Sequence, residues 1–259
     1  MAELSVDTEE SDPEQRLSAY ILCSTPRTGS TLLCSLLASS GCAGVPESYF
    51  RAQDLAARAQ QWRIRQPDGG FEFAEYLNCV LESGTSDNGV FGVRIMWGTL
   101  SELLDQLRGM GMDGSDREVL DQAFGPTRFV YIQRQDRLAQ AISRLRAEQT
   151  DLWHVTSKAD LERRSGIERY DAERIAAFIA ESTQHNQEWE AWFSTAGVTP
   201  LRVDYEDLNQ NAQAVAGAVL KFLGQSAAGV ALAAPNLRMS DSLSTQWAAR
   251  FRAETGYSQ

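Results

Sequence analysis

Lysine is almost missing from this chain. Lys158 and Lys221 are the only two among 24 basic residues, so arginine carries the positive charge. Codon bias in the source genome explains such a skew without any chemistry. Its consequence holds regardless: no lysine lies near a glycine-rich loop. Histidine is nearly as scarce, with His154 and His185 alone. Cys23, Cys34, Cys42 and Cys79 show no paired spacing, so no zinc or other metal site is expected. Isolated cysteines of this kind suit a reducing compartment and small apolar packing roles. No apolar run approaches the roughly 20 residues of a membrane-spanning helix. The first residues are acidic, from Glu3 through Glu14, which fits neither a secretory signal nor a transit peptide. A cytoplasmic protein is expected. Net positive charge is absent too: the formal balance is −11, which argues against nucleic acid and anionic membrane surfaces as partners. Any anionic ligand must be held by a local cluster of cations.

What the chain does have is alternation. Residues 1–17 read as a flexible acidic tail, and residues 18–259 as one domain. The run Ala19-Tyr20-Ile21-Leu22-Cys23 reads as a buried strand, and helical periodicity follows at Leu32, Leu33, Leu36 and Leu37. Further strands are expected at Val90 to Trp97, Arg128 to Gln133 and Leu201 to Tyr205. Each leads into an amphipathic helix, and a long helix is expected over about 171–194. A last amphipathic segment carries Leu243, Trp247 and Phe251. Apolar strands alternating with helices imply an α/β fold: a three-layer domain with a central parallel sheet flanked by helices. Residues 109–114 read as an exposed loop. Residues 151–170 are too polar for a core and read either as a cover over a site or as a surface excursion.

The first strand ends in Ser24-Thr25-Pro26-Arg27-Thr28-Gly29-Ser30-Thr31, just before a helix. Helix N-termini present unpaired N–H groups and partial positive charge. Gly29 allows close approach of an anion, Thr28, Ser30 and Thr31 offer hydroxyls, and Arg27 offers a bidentate fork. A merely well-capped helix is the bland alternative. A nucleoside triphosphatase loop would need a lysine after its last glycine; Ser30 stands there instead. A cysteine phosphatase loop would need an arginine where Cys23 is followed by Gly29. Both classes are weakened.

The segment from Ser24 to Leu32 resembles the 5′-phosphosulfate loop of the sulfotransferase superfamily, and the wider chain resembles the bacterial trehalose 2-sulfotransferase family. Gly41-Cys42-Ala43-Gly44-Val45-Pro46-Glu47-Ser48-Tyr49-Phe50 is similar to that family's G-x-x-G-x-P segment, and Arg94-Ile95-Met96-Trp97 to its K-L-M-W strand. Tyr131-Ile132-Gln133-Arg134 with Ser143 matches the arginine and serine that hold a 3′-phosphate. Segments at Trp189 to Phe193 and Arg250 to Glu254 extend the likeness from about 20 to 254. The resemblance implies a P-loop-like sulfotransferase that uses 3′-phosphoadenosine 5′-phosphosulfate (PAPS) as sulfuryl donor. The acceptor it implies is a hydroxyl on a carbohydrate, a glycolipid or another small molecule. It also points to a homodimer, and places Arg238 near the donor. A structural alternative for Arg134 is a surface pair with Asp136.

In that family a glutamate lies two residues after the proline. Here Ser48 holds that position and Glu47 precedes it, so Glu47 is the expected general base, with an exposed loop carboxylate as its alternative. Arg27 is the other expected catalytic residue, stabilising charge on the leaving phosphate. Tyr49, Phe50, Trp62, Trp97 and Trp153 are either sugar platforms or core. His154 is an auxiliary acid or base candidate, and Glu206 and Asp207 read as turn and helix-start residues. Two other functions stay open: a divergent P-loop kinase or hydrolase requiring Mg²⁺, and a non-catalytic nucleotide-binding relative.

Overall fold

Burial on both faces is what a parallel strand requires, and the first apolar run meets that requirement completely. In the computed structural model, which describes residues 19–65, 71–153, 168–226, 232–233 and 242–258, all six residues of β1 (Ala19–Ser24) are buried. β2 (Phe91–Met96) pairs parallel on one side of β1, and β3 (Thr127–Gln133) pairs parallel on the other. β4 (Leu201–Asp204) extends the sheet beyond β3, giving the order β2-β1-β3-β4. The α/β reading of the sequence is therefore the architecture: a four-stranded, all-parallel sheet between helices.

Alternation along the strands sorts side chains to two cores. Ala19, Ile21 and Cys23 face Val80, Leu103 and Val119, which belong to α3 (Phe73–Gly84), α4 (Trp97–Gly109) and α5 (Asp116–Phe124). Trp189, Trp192 and Phe193, from the second half of α7 (Ala172–Thr195), join that layer. Tyr20 and Leu22 face α1 (Ser30–Ser39) and α9 (Ala212–Phe222). A third cluster, including Leu138, Ile142, Ile175, Phe178, Trp247 and Phe251, joins α6 (Arg137–Thr150) to the first half of α7 and to α10 (Ser242–Thr255). α2 (Ala52–Gln61) and the short α8 (Tyr205–Gln210) complete the described elements. Among the described residues no helix is long and apolar enough to cross a membrane.

The chain leaves β1 to one side for β2, then returns to the other side for β3. This reversal opens a crevice at the carboxyl ends of the strands, the usual ligand position in open α/β sheets. Trp189 supports its floor. The indole is fully buried, stacks on Phe193 at 5.4 Å, meets the edge of Trp97 at 5.0 Å, and donates to the Ser24 carbonyl at 3.1 Å. Trp189→Ala is expected to cost about 3–5 kcal/mol in a urea unfolding series, from the cavity and the unpaired carbonyl. A loss below about 1 kcal/mol would show that the layer collapses around the gap.

Candidate functional site

The turn after β1 is built around two left-handed residues, Arg27 (φ 67) and Gly29 (φ 81). For Gly29 the reason is geometric: a Cβ there would lie 2.6 Å from the Tyr205 ring. For Arg27 the conformation costs about 1–2 kcal/mol, and such strain collects at functional positions held by their surroundings. Those surroundings come from α6. Gln140, buried, donates to Thr25 Oγ1 (3.0 Å) and to the Pro26 carbonyl (2.7 Å). One turn further along the same helix face, Ser143 Oγ accepts from Arg27 Nε at 3.0 Å. Arg27 Nη1 also donates to the Trp153 carbonyl at 2.5 Å. A helix turn later, Arg146 is buried in a pair with Glu168 (2.8 Å) and donates to Ser244 Oγ, which locks α6 to α10.

Gly29 is the N-cap of α1 and offers no capping side chain. The three loop hydroxyls divide their work. Thr28, fully buried, donates to the Thr25 carbonyl (3.0 Å) and braces the turn. Thr31 Oγ1 and Ser30 Oγ accept from Arg94 Nη1 at 2.6 and 3.4 Å. A hydroxyl that accepts keeps its own proton to donate, so both can still bind an anion.

Arg134 follows β3. Its guanidinium lies over the Tyr205 ring at 4.3 Å, Nη1 donates to the Arg27 carbonyl at 3.4 Å, and Nε is buried with no hydrogen-bond partner. The surface pair with Asp136 does not form: Asp136 caps α6 by accepting from Ala139 N at 2.8 Å. Glu206, in the first turn of α8, accepts from the amides of Gln135 and Asp136, both at 3.2 Å. Desolvation pulls the Arg134 pKa below its ordinary value. A cation held this way is costly until an anion joins it. Arg27, Arg134 and Ser143 thus share one corner of the crevice, with Ser143 in contact with Arg27. Arg238 and His154 lie outside the described residues, as do most of residues 151–170.

Gly44 (φ +65) packs so tightly that a Cβ would meet the Gly84 carbonyl at 2.4 Å, and the chain beyond it runs beside β2. Glu47 bridges to Val93 in parallel register, and its carbonyl accepts from Arg94 N at 3.0 Å. The next two side chains diverge. Ser48, buried, accepts from Arg94 Nε at 2.8 Å, on the loop side. Glu47, about half exposed (52%), pairs with Arg58 of α2 at 2.9 Å, and Arg58 in turn lies over the Tyr49 ring at 5.1 Å. Glu47 is nonetheless close enough to α1 for its charge to be felt there. Burial pushes the Cys34 thiol up to about 11, the Arg94 charge opposes this, and the Glu47 charge adds to it. Tyr49 and Phe50 are buried in the core and Trp62 packs against it; Trp97 stays half-buried at the crevice floor.

Arg94, Gln140, Tyr205 and Arg58 are the residues that the linear pattern did not assign to the site. Arg94 did carry a signal, as a charged residue inside an otherwise apolar strand and as part of the Arg94-Ile95-Met96-Trp97 resemblance.

Comparison with known proteins identifies the family. The family model described as Stf0 sulphotransferase matches residues 19–254. A trehalose 2-sulfotransferase of Mycobacterium tuberculosis is 31% identical, over 91% of this chain and 94% of that protein. A trehalose 2-sulfotransferase of Mycolicibacterium smegmatis is 30% identical, over 92% of this chain and 95% of that protein.

Proposed function

The chain belongs to the Stf0 sulphotransferase family, and from that membership we propose that it moves a sulfuryl group from PAPS to a carbohydrate hydroxyl. The observation that carries the donor assignment is Arg134: a guanidinium with a buried, unpartnered Nε and no carboxylate pair among the described residues, beside the strained Arg27. Such a corner suits a second phosphate in addition to the one at the loop. Arg134, with Ser143, would hold the 3′-phosphate. The loop from Arg27 to Thr31 would hold the 5′-phosphosulfate, and Arg238 is assigned to the donor as well.

When bound, the donor supplies an activated sulfuryl group. Arg27 and the first amides of α1 then meet the charge that develops on the departing 5′-phosphate oxygen. The acceptor oxygen forms its bond to sulfur as the sulfur–oxygen bond to that phosphate breaks. Glu47 takes the hydroxyl proton. The products are a sulfate ester and adenosine 3′,5′-bisphosphate. The two similar proteins named as trehalose 2-sulfotransferases make trehalose the first acceptor to try.

Calorimetric titration tests the donor site. Adenosine 3′,5′-bisphosphate is expected to bind tighter than adenosine 5′-phosphate by about 1.5–3 kcal/mol for each charge-assisted hydrogen bond to the 3′-phosphate. Arg134→Ala should abolish that preference. Equal affinities for the two nucleotides in the wild-type protein would remove the 3′-phosphate site, and tighter binding of ATP with Mg²⁺ would favour a nucleotide hydrolase.

A further inference from the structure

Arg94 touches three hydroxyls that belong to two different parts of the site. Its planar guanidinium contacts Ser30 and Thr31 at the start of α1 through Nη1, and Ser48 through Nε. Its backbone amide holds the same segment a second time, through the Glu47 carbonyl. Arg58 pairs with Glu47, and the buried Tyr49 and Phe50 anchor the chain just beyond; Arg94 is what ties the anion loop to that segment. The segment meets the sheet through one isolated bridge, Glu47 to Val93, and Val45 N donates to the Gly84 carbonyl at 2.9 Å. We propose that Arg94 is a positioning residue that transmits occupancy of the anion loop to residues 46–48, and so places Glu47 for the acceptor only once the loop is filled. The inference rests on the sulfuryl-transfer reading for its consequence, though not for its geometry.

The chemistry of the hydroxyls supplies the coupling. An anion at the N-terminus of α1 accepts hydrogen bonds from the hydroxyls of Ser30 and Thr31. Their lone pairs are then turned toward Arg94 Nη1, and a polarised chain of hydrogen bonds strengthens each member. A firmer hold on Arg94 is a firmer hold on Ser48, because the guanidinium is rigid and its donors cannot move independently. Lysine could not reproduce this, since one ammonium on a flexible stem has no fixed plane.

The test is hydrogen exchange of residues 45–50 with and without saturating inorganic phosphate, repeated with adenosine 3′,5′-bisphosphate. In the wild-type protein either anion should slow exchange there by about threefold or more. In Ser48→Ala the anions should bind within about twofold of wild type, yet leave that exchange unchanged. With trehalose as the probe acceptor, Ser48→Ala should raise the acceptor KM about five- to fiftyfold while the donor-product affinity holds. Arg94→Lys should show the same loss of protection, and the double variant should be no worse than either alone. Because Arg94→Lys also touches the loop, Ser48→Ala is the deciding variant if the lysine protein folds poorly. Protection that persists in Ser48→Ala, or effects of the two substitutions that add, overturns the coupling. Protection by phosphate without any sulfuryl transfer leaves the coupling standing and overturns the transfer reading. Failure of both anions to bind overturns the two together.

Discussion

Glu47→Gln should lower turnover by about 100- to 10,000-fold, the usual contribution of a general base, and leave the affinity for adenosine 3′,5′-bisphosphate within about twofold. The amide keeps the shape of the side chain and removes only its capacity to take a proton. It can still accept a hydrogen bond from Arg58, so the geometry around Tyr49 survives the change. Single-turnover assays with trehalose would separate chemistry from product release. The ion pair makes the outcome informative. Glu47 is turned toward Arg58 and Ser48 toward Arg94, so proton transfer to Glu47 would require its carboxylate to leave Arg58. A Glu47→Gln variant that sulfates at near wild-type rate would show that placement and charge stabilisation suffice, or that another group takes the proton.

The second large effect is expected at Arg27. Removing one preorganised group that meets charge in the transition state typically costs about 100- to 1,000-fold in rate. Arg27→Ala should therefore be nearly inactive, while stability changes by no more than about 1 kcal/mol, because the bonds to Ser143 and the Trp153 carbonyl are partly exposed. Arg27→Gly makes the argument sharper. It removes the guanidinium and the left-handed strain together, so it should be equally inactive and no less stable than Arg27→Ala. Thermal unfolding beside initial rates decides it. If either variant unfolds readily and yet keeps normal activity per folded molecule, Arg27 is a structural brace for the loop and the transition-state role belongs elsewhere.

Much of this was legible along the chain. β1 announced itself because a parallel strand buried on both faces must be continuously apolar, and Ala19 to Cys23 is. The loop that follows was legible as a turn before a helix, because Pro26, Gly29 and a run of hydroxyl residues interrupt the apolar pattern between β1 and α1. Helices α2, α3 and α5 went unread for a different reason. The apolar side chains of α2 and α3 are interrupted by charges and small residues, and their burial depends on the aromatic cluster around Tyr76. α5 does carry a local signal, the capping box of Ser115 with Glu118, but it directly follows a glycine-rich turn that masks it.

The sequence by itself determined the strand–loop–helix order, the parallel sheet and the kinds of group that gather at its carboxyl ends. Those properties depend on near neighbours: side-chain period, turn chemistry and the hydrogen bonds of a helix start. Which groups touch was decided by the tertiary structure alone. Arg27 and Ser143 are 116 residues apart, and Arg94 and Ser48 are 46 apart, so no local pattern could pair them. The separation of Glu47 from Ser48 is the clearest case. Adjacent in the chain, they point to opposite sides because a strand-like segment beside β2 alternates its side chains, and only the docking of that segment says which side faces the loop.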